Sequence, residues 1–243
     1  MAVLGVLGRD GLPRVIVGGQ AVNVWAERYL PIEPDLAEFL PFTSRDLDLL
    51  GERRDLDELA RLTGFARHPA PRKVFIPSAG FLELPYAGGG FVKVEVLKRV
   101  YGLLTEDLVK SALLIERGGV RLRVTDPITL LQAKTENAVH LPQQDRQDVK
   151  HLHMMVLCVR GFIREQIVAV SNGDLTARGC LDSLERIIQI ASTRTASSVT
   201  RMYGIRWLDS IPIPDLLASR STKLRNFVEK RLPRWREQLG RKK

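Results

Sequence analysis

Cysteine is nearly absent: the 243 residues contain two, Cys158 and Cys180, both in apolar, helix-like surroundings and in no metal-ligand spacing. That excludes a disulfide framework and a thiolate zinc site, and it fits a reducing compartment. Long hydrophobic runs are missing as well, since no stretch approaches the roughly eighteen apolar residues of a membrane-spanning helix. The apolar opening "MAVLGVLGRDGLPRVIVGG" has neither a basic leader nor a small-residue cleavage signal. The expectation is a soluble, unexported, cytoplasmic protein with no membrane contact. The four histidines offer no metal pair: His151 and His153 are two apart and face different ways on a helix, and His140 stands beside a proline turn. Internal repeats and low-complexity runs are absent too.

What is present is enough apolar residue, 44% of the chain, for one large domain or a core domain with a helical companion. Charge is unevenly placed. Residues 1–150 carry twenty Lys/Arg against twenty Asp/Glu, residues 151–218 seven against six, and residues 219–243 ten against two. Nearly all of the net charge of +9 therefore belongs to the C-terminal tail, which points to a local polyanion contact or to a solvated basic end. In that tail Leu224, Phe227, Val228, Leu232 and Trp235 are spaced to dock on the body, and an exposed Trp could instead stack on a base.

Periodicity divides the chain into a mixed α/β part and a helical part. Arg14 to Val17 reads as a short buried strand and Gln20 to Tyr29 as a helix. The Pro-punctuated insertion "LPIEPDLAEFLPFTS" holds at most one helical turn. Arg45 to Leu50 is an alternating strand, and Asp55 to Gly64 a helix with an acidic first turn and a glycine stop. Strand-like runs follow at Lys73–Pro77, Gly80–Tyr86 and Gly90–Leu97, then a hairpin around Gly118–Gly119. From Asp126, an N-cap with Pro127 at the first helical position, the pattern is helical: "ITLLQAKTENAVH", "RQDVKHLHMMVLCVRGFIREQIVAV", "DLTARGCLDSLERIIQIAS", and basic helices from Asp215 to Leu239 interrupted near Pro233. The predicted fold is α+β, a mixed-sheet core over residues 1–125 followed by a helical region over 126–243 that ends in the basic tail.

The chemistry lies in the carboxylates. In "RDLDLL" Asp46 and Asp48 share one face of the strand, with Leu47 and Leu49 on the other. Two acids at i and i+2 with no base between them repel each other, and a divalent cation relieves that; an amphipathic strand with a wet acidic side is the alternative. Glu95 stands among valines in "VKVEVLKR", a poor place for glutamate without a partner. If its strand lies beside "RDLDLL", the three acids can converge on one or two magnesium ions; otherwise Lys93 and Glu95 share a solvent face. The diglycine in "VIVGGQAVNVW" joins a strand to a helix start, where backbone N–H groups and the positive dipole end can receive a phosphate with no Cβ in the way. Taken alone, it is an ordinary tight turn.

Together "VGGQAVNVWAERY", "FTSRDLDLL" and "VKVEVL" resemble the DNA-polymerase-β-like minimal nucleotidyltransferase core: a Gly-Gly turn, then DxD, then a third acid on a later strand. "VTDPITLLQAKTENAV…RQDVKHL" is similar to the lysine-bearing helix and Asp-containing helix start of AbiEii-type nucleotidyltransferase toxins. The resemblance spans about residues 14–155. It implies a nucleotidyltransferase core that uses Mg2+ and an NTP such as ATP and transfers the nucleotide to an acceptor hydroxyl. It also implies Gly18 and Gly19 at the phosphates, Asp46 and Asp48 as metal ligands, and Glu95 as metal ligand or general base. Lys134 would contact the triphosphate and Asp148 support the site. On their own residues, Lys134 can snorkel from its helix and Asp148 can simply favour a helix start. Gly19 replaces a frequent serine, and the insertion Leu30–Pro41 lengthens the spacing before Asp46. The expected partners are the NTP, an RNA or tRNA acceptor reached through the basic tail, and a cognate antitoxin. The other readings are a catalytically inactive binding module of the same fold and an enzyme acting on a small, aminoglycoside-like alcohol.

Overall fold

The computed structural model describes residues 14–44, 46–71, 76–85, 90–117 and 119–240. The chain is α+β, and it divides into two compact units: Met1–Glu27 with Leu40–Ala133, and Arg28–Phe39 with Lys134–Lys243.

The first unit is built on a seven-stranded mixed sheet. Its strands are β1 (Val15–Val17), β2 (Asp46–Leu50), β3 (Ala66–Pro69), β4 (Ser78–Pro85), β5 (Phe91–Leu97), β6 (Leu113–Arg117) and β7 (Val120–Val124), in the spatial order β3-β4-β5-β2-β1-β7-β6. β1 is antiparallel to β2 and parallel to β7, and β2 is parallel to β5. Val15, Ile16 and Val17 are all buried because the strand is central and covered on both faces, the place where a continuous β-branched run belongs. On one face Ile16, Leu49, Val94 and Val96 are almost free of solvent. Helix α2 (Arg53–Thr63) packs on that side through Leu56, which comes against Gly80, the register partner of Val96. On the other face Val15, Val17 and Leu50 form a small apolar cluster with Leu108 of helix α3 (Thr105–Ser111). The acidic positions lie further along that same face.

Local signals set most boundaries. Helix α1 (Gly18–Tyr29) starts directly after β1. α2 stops at Gly64 in the left-handed conformation, φ +72°. Helix α4 (Pro127–His140) starts after Asp126, whose Oδ1 accepts from the backbone N–H groups of Ile128 and Thr129 at 3.0 and 3.1 Å. The boundary between the two units passes through α1 and α4.

The second unit is helical. Helix α5 (Asp148–Asn172) is its long central element, followed by α6 (Ala177–Ala191), α7 (Arg194–Tyr203), a 3₁₀ turn at Trp207–Ser210, α8 (Ile213–Ala218), α9 (Thr222–Asn226) and α10 (Leu232–Gly240). The proline-rich insertion belongs here: its 3₁₀ turn Pro34–Phe39 buries Leu36. Glu33, with no exposed surface, accepts from Arg160 and Arg164 of α5 at 2.6 Å each.

The structure differs from the sequence reading at Ile76–Pro77 and in the tail, and some expected strand residues fall outside the described residues. In the strand expected at Lys73–Pro77, residues 73–75 lie outside the described residues, and Ile76 and Pro77 precede β4 without being part of it. Arg45 and Tyr86, expected at strand ends, lie outside the described residues as well. In the tail the chain breaks between α8 and α9, at Ser219–Ser221. From Thr222 to Gly240 the helix is continuous, and the interruption expected near Pro233 takes the form of a π-helical turn, Phe227–Arg231, just before it. Two elements carried no sequence signal: β3, four exposed residues at the sheet edge, and the seven-residue α3. Of the hairpin glycines, Gly118 lies outside the described residues and Gly119 has φ +75°.

Candidate active site

The diglycine and the acid pair meet through the sheet. Val17, the last residue of β1, is the register partner of Asp48 on β2, so the turn that follows β1 comes up against that carboxylate. Gly18 has φ +67°, and a Cβ placed there would lie 2.8 Å from Asp48 Cγ and 3.0 Å from its Cβ. Only glycine meets both demands, the left-handed backbone and the absent side chain. Gly18 and Gly19 open α1, whose first N–H groups have no partner within the helix.

β5 lies directly beside β2. The parallel register pairs Asp46 with Lys93 and Asp48 with Glu95, so all four side chains project from one face. Glu95 is bound by its strand neighbour Lys93, Nζ to Oε2 2.9 Å, with both side chains partly exposed. Lys93 also lies over the ring of Phe81, the register partner of Glu95 on β4, 5.1 Å from its centroid. Phe81 in turn stacks on His68 of β3, centroids 4.6 Å apart. The sequence reading named the acids and, as the alternative to a metal, placed Lys93 on one face with Glu95; it missed Phe81 and His68, which depend on strand pairing that no single segment reveals.

The three acids offer only oxygen donors to a cation, which suits magnesium in kind. Among the described residues no three Asp, Glu, His or Cys side chains are gathered as a ready cation cage. Asp46, Asp48 and Glu95 thus share a face and neighbouring register positions, with Glu95 held toward Lys93.

Lys134 and Asp148 are brought together within the helical unit. Lys134 Nζ donates to Asp148 Oδ1 at 2.8 Å, and the two side chains are 5% and 3% exposed. Arg146 Nε donates to Asp148 Oδ2 at 2.6 Å, and Asn137 Nδ2 approaches Oδ1 at 3.5 Å. Burial alone would raise the Asp148 pKa, but Lys134 and Arg146 outweigh it and hold the carboxyl below its usual value. Snorkelling does not describe Lys134: its ammonium is buried and paired inward. His151, one turn beyond Asp148 and 5% exposed, is pushed down to about 3 by burial and then by the charge of Lys134, so its ring is neutral.

The remaining residues are structural. His153 stacks on Phe39 with ring centroids 6.5 Å apart, and His140 pairs with Glu136. Both cysteines are free and buried, and burial raises both thiols, that of Cys180 to about 11. In the tail Leu224, Phe227, Leu232 and Trp235 are buried, and the Trp235 indole N–H donates to Ser192 Oγ at 3.2 Å. Trp235 is therefore unavailable for base stacking, while Lys223, Lys230, Arg234 and Arg236 face solvent. Among the described residues no helix is long and apolar enough to cross a membrane.

No family model matches the chain, and no curated protein matches it. Among solved structures it is similar to an antigenic nucleotidyltransferase-like protein from Paracoccidioides brasiliensis, at 16% identity and a TM-score of 0.41, over 64% of this chain and 75% of that one. A likeness of this size says nothing of activity.

Proposed function

We propose that the chain is a metal-dependent nucleotidyltransferase that moves a nucleotide from an NTP to an acceptor hydroxyl. The observation that carries the reading is the contact of the diglycine turn with the acid pair: Gly18 has no room for a Cβ because Asp48 stands against it. A phosphate chain received by the N–H groups that open α1 lies beside the carboxylates of Asp46 and Asp48. Those two would hold Mg2+, with Glu95 as third ligand or general base once released from Lys93. The ion, when bound, supplies charge neutralisation at the transferring phosphorus and a lowered pKa for the attacking hydroxyl. Gly18 and Gly19 bind the phosphates through their backbone; Asp46 and Asp48 orient them. By the family resemblance Lys134 contacts the triphosphate and Asp148 supports it. The finer expectations follow the same resemblance: an RNA or tRNA end as acceptor, toxin-like action in the cytoplasm, and a cognate antitoxin. The exposed cations of the tail support a polyanionic acceptor over a small aminoglycoside-like one.

Asp46→Asn tests the reading. It should lower NTP consumption by about two orders of magnitude or more, with an unchanged thermal melt. Unchanged turnover would remove the hypothesis. A second reading, a catalytically idle binding module, is favoured by one observation, the Lys93–Glu95 ion pair that occupies the third acid. Calorimetry with Mg·ATP separates the two, because the enzyme must bind the nucleotide and an idle module need not.

A further inference from the structure

The helical unit carries a buried polar cluster whose hydrogen bonding is incomplete. Around Asp148 stand Lys134 and Asn137 on α4 and His151 one turn along α5. Lys134 uses one of its three protons, on Asp148. Asn137 Nδ2 turns toward the same carboxylate, which leaves Asn137 Oδ1 buried and without a partner. His151 Nε2 is likewise buried and without a partner. A buried polar atom left unbonded costs the fold the desolvation of that atom with no compensating bond. Two such atoms beside a lysine with unused protons make a set of groups directed at something other than the protein itself.

The charge of the cluster indicates what that is. Lys134 and Arg146 outnumber the single carboxylate, Lys150 adds its field at His151, and the imidazole is neutral. The surplus is positive, so the fitting ligand is anionic. Phosphate oxygens only accept, which suits the spare protons of Lys134 and an Nε2–H on His151. Asn137 Oδ1 only accepts, which calls for a hydroxyl on the same ligand. Arg146, with 42% of its side chain exposed, is where the cluster reaches solvent.

We propose that His151 and Asn137, with Lys134, form a binding site for a phosphorylated, hydroxyl-bearing ligand of the nucleotide class: His151 donates to a phosphate oxygen and Asn137 accepts from a sugar hydroxyl. The identification of the ligand as a nucleotide rests on the proposed nucleotidyl transfer; the two orphaned atoms do not.

Five proteins test it: the full-length chain, His151→Leu, His151→Gln, Asn137→Leu and Asp46→Asn, each titrated calorimetrically with ATP and with tripolyphosphate, and each melted. His151→Leu removes the ring nitrogens at similar volume, and it should weaken binding of both probes about tenfold or more while leaving the melting temperature equal or higher. His151→Gln, which restores an N–H near the position of Nε2, should recover most of that loss. Asn137→Leu should weaken ATP and leave tripolyphosphate unchanged. If His151→Leu binds both probes like the parent and only gains stability, the site is refuted and the histidine is a packing residue. Asp46→Asn keeps the two ideas apart: a parent chain with no turnover, yet with binding that depends on His151, sinks the transfer reaction and keeps this site. Normal turnover with an indifferent His151 does the reverse.

Discussion

Replacing Gly18 by alanine probes the joint between the diglycine turn and the acid pair. Two costs add. An L-residue held at φ +67° loses about 1–2 kcal/mol to the left-handed backbone. The new methyl would also stand 2.8 Å from Asp48 Cγ, and forcing atoms into an occupied space typically costs about 1–3 kcal/mol. Gly18→Ala should therefore lose about 2–5 kcal/mol. Gly64→Ala supplies the control, since Gly64 has φ +72° and nothing lies within 4 Å of the place a Cβ would take; it should cost only the backbone share. The decisive comparison is a double-mutant cycle by urea denaturation of the parent, Gly18→Ala, Asp48→Ala and the double variant. With the carboxylate gone, the two closest of the methyl's contacts are removed and the residue 48 Cβ at 3.0 Å remains, so the double variant should be more stable than the sum of the singles by about 1–2 kcal/mol. Additivity within about 0.5 kcal/mol, or a Gly18→Ala cost equal to that of Gly64→Ala, would show that the turn and the acid do not touch.

Other perturbations bear on the surrounding structure. Asp148→Asn leaves Lys134 buried without its counter-ion and should destabilise by about 3–5 kcal/mol, read from a shifted denaturation midpoint; a change under about 1 kcal/mol would contradict the buried pair. Because His151 is held near 3 in the fold and lies near 6.5 when unfolded, the unfolded chain binds more protons between those values. Stability should then be fully present above about pH 6.5 and fall with acid by up to about 1.4 kcal/mol per pH unit, a slope that His151→Leu should flatten and that pH-dependent melts would show. Glu33→Ala removes the buried carboxylate that Arg160 and Arg164 share and leaves them only the more exposed Asp35 and Asp215; it should unfold the helical unit at lower denaturant, and an unchanged midpoint would mean the insertion is inert. Trp235→Ala should cost about 3–5 kcal/mol, whereas Arg234→Ala with Arg236→Ala should leave the melt unchanged and reduce the salt dependence of RNA binding.

The sequence disclosed those parts of the fold whose information is local. The β-branched run at Val15–Val17, the glycine stop at Gly64 and the Asp126–Pro127 start each act through neighbours within one turn, so each is legible before any contact is known. β3 is not, because its four exposed residues are strand only by pairing with β4. The candidate site divides in the same way. Asp46 and Asp48 follow from period two, but the neighbour relation of Asp48 and Glu95 is a property of register across a parallel pair, fixed by a crossover connection. Glu95 stands out because glutamate is unusual among valines; that its partner is Lys93 is visible only with the side chains in place. Lys134 reads as a solvent-facing lysine on its helix alone, because the buried carboxylate that holds it comes from fourteen residues further on.

The most direct test is to incubate the full-length protein and Asp46→Asn with magnesium, labelled NTPs, and separate fractions of cellular RNA, protein and small metabolites. The account predicts label transferred to one fraction, with release of pyrophosphate, by the parent chain and none by the variant. Equal labelling by the two proteins, or no labelling of any fraction by the parent, would contradict it.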